Sequence, residues 1–235
     1  DVGKVIKEWT INSYSDSTIF SMKALHKLTL EELRALSKKT LQHYTIHADS
    51  FWNSTQDHDV TQNIDALLGN IEGEPPFSIL DFGCGPGRDL LNFLRLGHNV
   101  IGIDGCKVFT DMARKYARCD VWHQDFLRLE LPELSFDGIF ANASVFHVPT
   151  QELPRVLREL YACLKPRGVL FCSNPRGENI EHFSAGRYCS FLDRKTWRRY
   201  VMEAGFDELE HYYRPKNKPR SEQLWLATLW RRPEI

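Results

Sequence analysis

The chain has 235 residues, 42% of them hydrophobic, with 30 Lys and Arg set against 31 Asp and Glu for a formal net charge of −1. This length suits one α/β domain with a full core and is short for two. A charge near zero removes broad electrostatic attraction to nucleic acid or an anionic membrane, and no apolar run approaches the ~18 residues that a membrane span needs.

Thr29-Leu-Glu-Glu32 forms a capping box and predicts a helix running to about Ala48. A second helix is expected from near Asp59, with Val60, Ile64, Leu67, Leu68 and Ile71 at helical spacing, ended by Gly73-Glu-Pro-Pro76. Strand and helix then alternate. Phe77–Phe82 reads as a strand, Arg88–Leu96 as a helix, Asn99–Asp104 as a strand and Val108–Tyr116 as a helix. Val121–His123 and Phe136–Ala141 read as strands, Gln151–Leu164 as a helix and Val169–Ser173 as a strand. Arg194–Ala204 is a helix closed by Gly205, and strands near Phe206–Tyr213 and Leu224–Trp230 follow with no helix between them. Near-continuous apolar strands alternating with helices imply a parallel sheet covered on both faces, with the last two strands as an antiparallel edge hairpin.

Six cysteines (Cys84, Cys106, Cys119, Cys163, Cys172 and Cys189) include no Cys-x-x-Cys pair, and several sit in apolar patterns. This suits a reducing compartment, and with no signal-peptide pattern a cytoplasmic setting is expected. Opening on Asp1, the sequence is expected to be trimmed or part of a longer protein. The Asn53 and Asn142 sequons read as chance, and the basic stretch 214–220 as a solvated loop.

The densest signal is Ile79-Leu-Asp-Phe-Gly-Cys-Gly-Pro-Gly-Arg-Asp89. An apolar strand ends in Asp81 and Phe82, turns through Gly83, Gly85 and Gly87, and becomes a helix. Glycines serve where a backbone must turn sharply and approach a ligand without a Cβ in the way. The strand-turn-helix arrangement marks the nucleotide corner of a doubly wound sheet. The dinucleotide fingerprint Gly-x-Gly-x-x-Gly fails here, because its third glycine falls on Arg88 or Leu90. Asp104 closes the second strand about twenty residues later, where a carboxylate can accept both ribose hydroxyls; an N-cap for the next helix is its other reading.

Gly-x-Gly-x-Gly after an acidic residue resembles motif I of the class I S-adenosylmethionine-dependent methyltransferases. Phe136-Asp-Gly-Ile-Phe-Ala-Asn-Ala-Ser-Val-Phe-His-Val148 is similar to the fourth-strand segment of their small-molecule branch. Leu164-Lys-Pro-Arg-Gly-Val-Leu170 is similar to that branch's Leu-Lys-Pro-Gly-Gly turn, with Arg167 replacing a glycine. The resemblance runs from about Phe77 to the end. It implies a doubly wound, Rossmann-like, seven-stranded mostly parallel sheet with the last strand antiparallel. The expected division is a helical N-terminal cap (1–75) and a catalytic core (76–235).

The resemblance also implies S-adenosylmethionine as the cofactor. Asp81 and Asn142 would lie near the methionine ammonium, and Gly83, Cys84 and Gly85 would approach the ligand through their backbone. Asp125 would accept from the adenine amino group with Phe126 beside the ring. Arg88 reads as a partner for the methionine carboxylate or as a solvated helix residue. Tyr44 resembles the cap tyrosine that touches the cofactor in relatives, with ordinary helix packing as the alternative. Gly105 departs from the family, where many relatives carry a bulky apolar residue against the adenine.

Methyl transfer is an in-line displacement whose main demand is alignment, and a general base helps only an acceptor that arrives protonated. His147, just past the fourth strand, is the candidate base, with a structural role as its alternative. His58, between Asp57 and Asp59, reads as a capped helix start or as pocket lining, and no metal site is expected. Arg176, Arg187, Tyr188 and Tyr212 (with Tyr213) are expected to border the acceptor, with Arg176 recognising an anionic group. The reading is methyl transfer to an N, O or S nucleophile of a small molecule. A protein or RNA methyltransferase, a silent cofactor-binding module and a nicotinamide dehydrogenase are the alternatives.

Overall fold

A computed structural model of the protein describes residues 27–234. The first 26 residues of the expected 1–75 cap lie outside the described residues. Helix α1 (Leu30–Ile46) opens on the expected capping box: the Thr29 hydroxyl accepts from the Glu32 amide, and the Glu32 carboxylate reaches back to the Thr29 amide. The helix ends at His47 (φ −106°, ψ 18°), close to the expected end at Ala48, and the chain restarts at once as α2 (Ala48–Thr55), a short helix that the sequence reading does not include. Helix α3 (Thr61–Asn70) buries Ile64 and Leu67.

The strands of the core are β1 (Ser78–Phe82), β2 (Asn99–Asp104), β3 (Val121–His123), β4 (Phe136–Asn142) and β5 (Leu164–Pro175). Between them run α4 (Arg88–Arg95), α5 (Lys107–Ala117) and α6 (Leu153–Cys163). After β5 come the hairpin strands β6 (Ile180–Ser184) and β7 (Arg187–Phe191), then α7 (Arg194–Glu203), β8 (Asp207–Arg214) and β9 (Trp225–Arg231). The seven-stranded sheet has the order β3-β2-β1-β4-β5-β9-β8. β1 to β5 are parallel, and β9 pairs antiparallel with both β5 and β8. This is the fold expected from the alternation of elements.

Side-chain alternation splits the core between the two faces. Leu80, Phe82, Ile139, Leu170 and Trp230 pack with α6 and α7 residues such as Leu157, Leu160 and Trp197. Ile79, Phe140 and Phe171 face the opposite side with Leu67 of α3 and Leu90 and Phe93 of α4. Gly87, at φ 99°, starts α4 so close to α5 that a Cβ there would lie 2.9 Å from the Ala113 Cα. The β6–β7 hairpin is a separate two-stranded sheet. It lies where the sequence predicts only acceptor-side loop, turning at Ala185 (φ 48°) and Gly186 (φ 79°).

Strand order reverses between β1 and β4, so the crevice beyond the carboxyl ends of β1, β2 and β4 is where this architecture places ligands. Helices α1 and α2 line that crevice, and β7 reaches its edge through the Tyr188 carbonyl against His147.

Candidate functional site

The cleft is lined by Gly83 and Gly85 of the β1 turn, Asp104 and Gly105 at the end of β2, and Asp125, Phe126 and Leu127 after β3. Ala143, Ser144, His147, Val148 and Pro149 line it beyond β4, with Ser37, Thr40, Leu41 and Tyr44 from α1, Phe51 from α2 and Phe109 from α5. The expected residues Tyr44, Gly83, Gly85, Asp104, Gly105, Asp125, Phe126 and His147 are therefore brought together.

The turn is shaped for close approach. Gly83 has φ 84°, its amide donates to the Ile103 carbonyl at 2.8 Å, and a Cβ there would fall 2.3 Å from the Ser144 Cβ. Ser144 itself donates to the Phe82 carbonyl at 2.5 Å, tying the end of β4 to the turn. Asp104 is buried and braces the other side: Oδ2 accepts from the Gly85 amide at 2.9 Å and Oδ1 from the Cys106 amide at 2.8 Å. Each oxygen keeps a second lone pair. Burial raises its pKa to about 6 although the surrounding amides favour the charged form. Asp125 accepts from the Leu127 amide at 2.9 Å and from the Ser37 hydroxyl at 2.6 Å, while Phe126 stacks on Phe82 at 4.2 Å between centroids.

Tyr44 and His147 form a pair across the cleft. The Tyr44 hydroxyl lies 2.7 Å from Nε2, and Nδ1 lies 2.6 Å from the Tyr188 carbonyl. A carbonyl only accepts, so Nδ1 carries the ring proton and Nε2 accepts from the phenol. Burial, with the Arg187 charge nearby, drives His147 down to about 3, and burial raises Tyr44 to about 12. The pair is thus neutral, and the tyrosine's proton is committed to the histidine. Arg187, on β7, lies 5.5 Å from the Tyr44 ring centroid, with Nη1 3.5 Å from its hydroxyl.

A second polar network runs behind the turn. Arg88 grips Asp89 with Nε at 2.6 Å and Nη2 at 2.8 Å and donates to the Thr55 carbonyl at 2.8 Å. Asn142 donates to Asp89 at 3.3 Å and accepts from Asn63 at 3.0 Å, and Tyr212 donates to Asn63 at 2.9 Å. Among the described residues, the buried Asp81 Oδ2 has no hydrogen-bond partner. Burial first, then the negative charge of Asp89, pushes its carboxyl well above the usual range. A buried acceptor oxygen with nothing to bond suits a cationic or N–H-bearing ligand group. Asp81, Arg88 and Asn142 thus stand together, outside the residues that line the cleft. Cys84 is buried with its thiol toward the Gly85 carbonyl at 3.6 Å, and burial raises its pKa.

The expected acceptor residues are dispersed. His58 sits in the turn after α2, its amide donating to the Thr55 carbonyl, and burial and the Arg88 charge lower its pKa. Arg176 lies at the end of β5, donating to the carbonyls of Arg220 and Gln223 and stacking on Tyr213. It is not in the cleft, so the anionic acceptor group expected from it has no support there. Tyr188 works through its backbone, its amide donating to the Thr40 hydroxyl at 2.9 Å. Tyr212 belongs to the Asn63 network. Among the described residues, no group of acids, histidines and cysteines could hold a metal ion.

Sequence reasoning missed Ser37, Thr40, Leu41, Phe51 and Phe109. The first three share the helical spacing of Tyr44, a signal readable as one face of α1.

Residues 79–168 match the methyltransferase domain family. The sterol 24-C-methyltransferase of Aspergillus fumigatus is 33% identical over 112 residues, covering 43% of this chain and 28% of that protein. The 24-methylenesterol C-methyltransferase 2 of Oryza sativa subsp. japonica is 30% identical over 129 residues, covering 49% and 35%. The matched region thus spans about a third of these relatives or less. In structure, the chain resembles the Burkholderia thailandensis 1,6-didemethyltoxoflavin-N1-methyltransferase, solved with bound 1,6-didemethyltoxoflavin and S-adenosylhomocysteine, at a TM-score of 0.70 and 20% identity, over 89% of this chain and 93% of that one. It also resembles the cyclase SpnF at 0.66 and 17%, over 85% and 98%. No described helix is long and apolar enough to cross a membrane.

Proposed function

We infer from its class I S-adenosylmethionine-dependent methyltransferase domain, to which residues 79–168 belong, that this chain methylates a small molecule held between the cap helices and the β1, β2 and β4 ends. The observation carrying this reading is the convergence in one cleft of the Gly83–Gly85 turn, Asp104, Asp125 and the Tyr44–His147 pair.

The cleft fits the cofactor class. Gly83 and Gly85 put backbone without side chains in the cleft wall, and Asp104 and Asp125 keep spare acceptor lone pairs. We assign the nucleoside to Asp104, Asp125 and Phe126. The amino-acid end falls to the Gly83–Gly85 backbone, which lines the cleft, with the buried Asp81 carboxyl as the acidic group behind that turn. When bound, S-adenosylmethionine supplies a methyl carbon made electrophilic by its sulfonium, the C–S electron pair leaving on sulfur as a bond forms to the acceptor.

The chain's own contribution is orientation more than proton removal. With His147 near 3 and Tyr44 near 12, neither group is a strong base at neutral pH. Tyr44 holds its oxygen at the cleft with its proton turned toward Nε2, presenting a lone pair to an acceptor's X–H or polarised C–H. Exclusion of water comes from Leu41, Phe51, Phe109, Phe126, Leu127, Val148 and Pro149. Such a wall suits an acceptor that is largely apolar or aromatic and nucleophilic without losing a proton first. Fixing it at attack distance can supply roughly 7–11 kcal/mol.

The test is S-adenosylhomocysteine release across pooled apolar amines, phenols, thiols and alkenes, together with calorimetric titration of S-adenosylhomocysteine. Cofactor binding with no turnover on any acceptor favours a non-catalytic module, and binding of NAD instead would overturn the reading.

A further inference from the structure

Gly105 and Leu41 share one space. Gly105 directly follows Asp104, at the nucleoside end of the cleft. A Cβ at 105 would lie 2.8 Å from Leu41 Cδ2 and 3.3 Å from Cδ1, so the leucine tip fills the volume a side chain at 105 would take. Leu41 comes from α1, more than sixty residues earlier in the chain. Its neighbour on the same helical face, Ser37, donates to Asp125 Oδ2 at 2.6 Å. Thr40 holds the Tyr188 amide and Tyr44 holds His147. One stripe of α1 therefore touches Gly105, Asp125, the β7 strand and the pair at the cleft.

We propose that Leu41 is a cofactor-specificity residue: it delivers from the cap the apolar wall that Gly105 cannot provide, so that α1 completes the nucleoside site. A purine is a flat, largely apolar heterocycle whose edges are read by polar groups and whose faces need apolar cover. Asp104 and Asp125 are the polar groups here. Phe126 gives aromatic cover from the β3 side, and Leu41 occupies the position left bare beside Asp104. In this chain the nucleoside wall and the docking of α1 are then one structural event. Weakening one weakens the other. The proposal rests on the assignment of the nucleoside to this end of the cleft.

The test is calorimetric titration of the whole chain with S-adenosylhomocysteine and, separately, with 5′-methylthioadenosine, which lacks the amino-acid end. Leu41→Ala is expected to weaken both ligands by about 15- to 60-fold, the loss expected from removing two to three apolar groups. Gly105→Leu alone should weaken both as well, because the new side chain meets Leu41. The double variant Leu41→Ala/Gly105→Leu should return both affinities to within about threefold of the parent, a coupling that independent sites would not show. Leu41→Met, which keeps the reach, should bind within about threefold of the parent and guards against a variant that simply fails to fold. Unchanged binding in Leu41→Ala, or a double variant as weak as Leu41→Ala, would overturn the proposal while leaving the cofactor reading intact. A loss confined to S-adenosylhomocysteine would place Leu41 at the other end of the ligand and overturn it too. A parent chain that binds neither ligand would overturn both.

Discussion

Replacing Tyr44 by Phe removes one oxygen and leaves the ring in place against Phe51 at 5.5 Å and Phe109 at 5.3 Å between centroids. What is lost is the donor to His147 Nε2, a 2.7 Å hydrogen bond, together with the oxygen that receives Arg187 Nη1 at 3.5 Å. The imidazole cannot turn to find another partner, because Nδ1 is fixed on the Tyr188 carbonyl at 2.6 Å. An acceptor left without its donor costs about 1–3 kcal/mol when fully enclosed, and partial access of both side chains to the cleft puts this site at about 1–2 kcal/mol. For a chain of this size the melting temperature should fall by about 3–6 °C. Differential scanning calorimetry measures it, and a thermodynamic cycle with His147→Ala isolates the pairwise part. The coupling should be about 1 kcal/mol. If Tyr44→Phe melts with the parent, or the two losses simply add, the hydrogen bond described here does not hold the pair together.

Other expectations follow from the same geometry. S-adenosylhomocysteine affinity should be level above about pH 6 and fall below it, because Asp104, raised to about 6, becomes protonated and loses acceptor capacity; Asp104→Asn should abolish that step. Between the ordinary carboxylate range and about 6 the folded form holds this extra proton, so Asp104 works against stability as pH rises through that window, and Asp104→Asn should flatten that part of a urea-midpoint profile. Arg88→Leu strips the guanidinium from buried Asp89 beside Asp81, which should lower chemical stability by about 3–5 kcal/mol. Arg176→Met should leave an acceptor's KM within about twofold, since the guanidinium is engaged at Arg220 and Gln223; a rise above tenfold would return Arg176 to the acceptor site.

The sheet was legible because its strands are near-continuous apolar runs punctuated by glycine and proline, and hydrophobic pattern is a local property. The same holds for the polar ends of β1 and β2, where Asp81 and Asp104 are marked by position alone. The cap was only half legible. The short helix Ala48–Thr55 starts directly after α1 with no side-chain cap, proline or glycine to announce it, and the β6–β7 hairpin turns on Ala185-Gly186, a weaker signal than Asn-Gly. Arg88, Asn142 and Tyr212 each look like surface polar residues in their own segment. Only three-dimensional proximity joins them through Asp89 and Asn63 into one network. Leu41 was silent for the same reason, since its partner is an empty position in a distant element.

The proton on the His147 ring is addressed by the main-chain oxygen of residue 188, not by a neighbouring carboxylate or hydroxyl. Substitution at 188 changes a side chain and leaves that oxygen where the strand puts it. Genetic drift at this position therefore cannot rewrite which imidazole nitrogen is protonated; only displacement of the whole ribbon can. A lineage altering its preferred acceptor would be free to vary the groups around the histidine while its tautomer passed unchanged from ancestor to descendant.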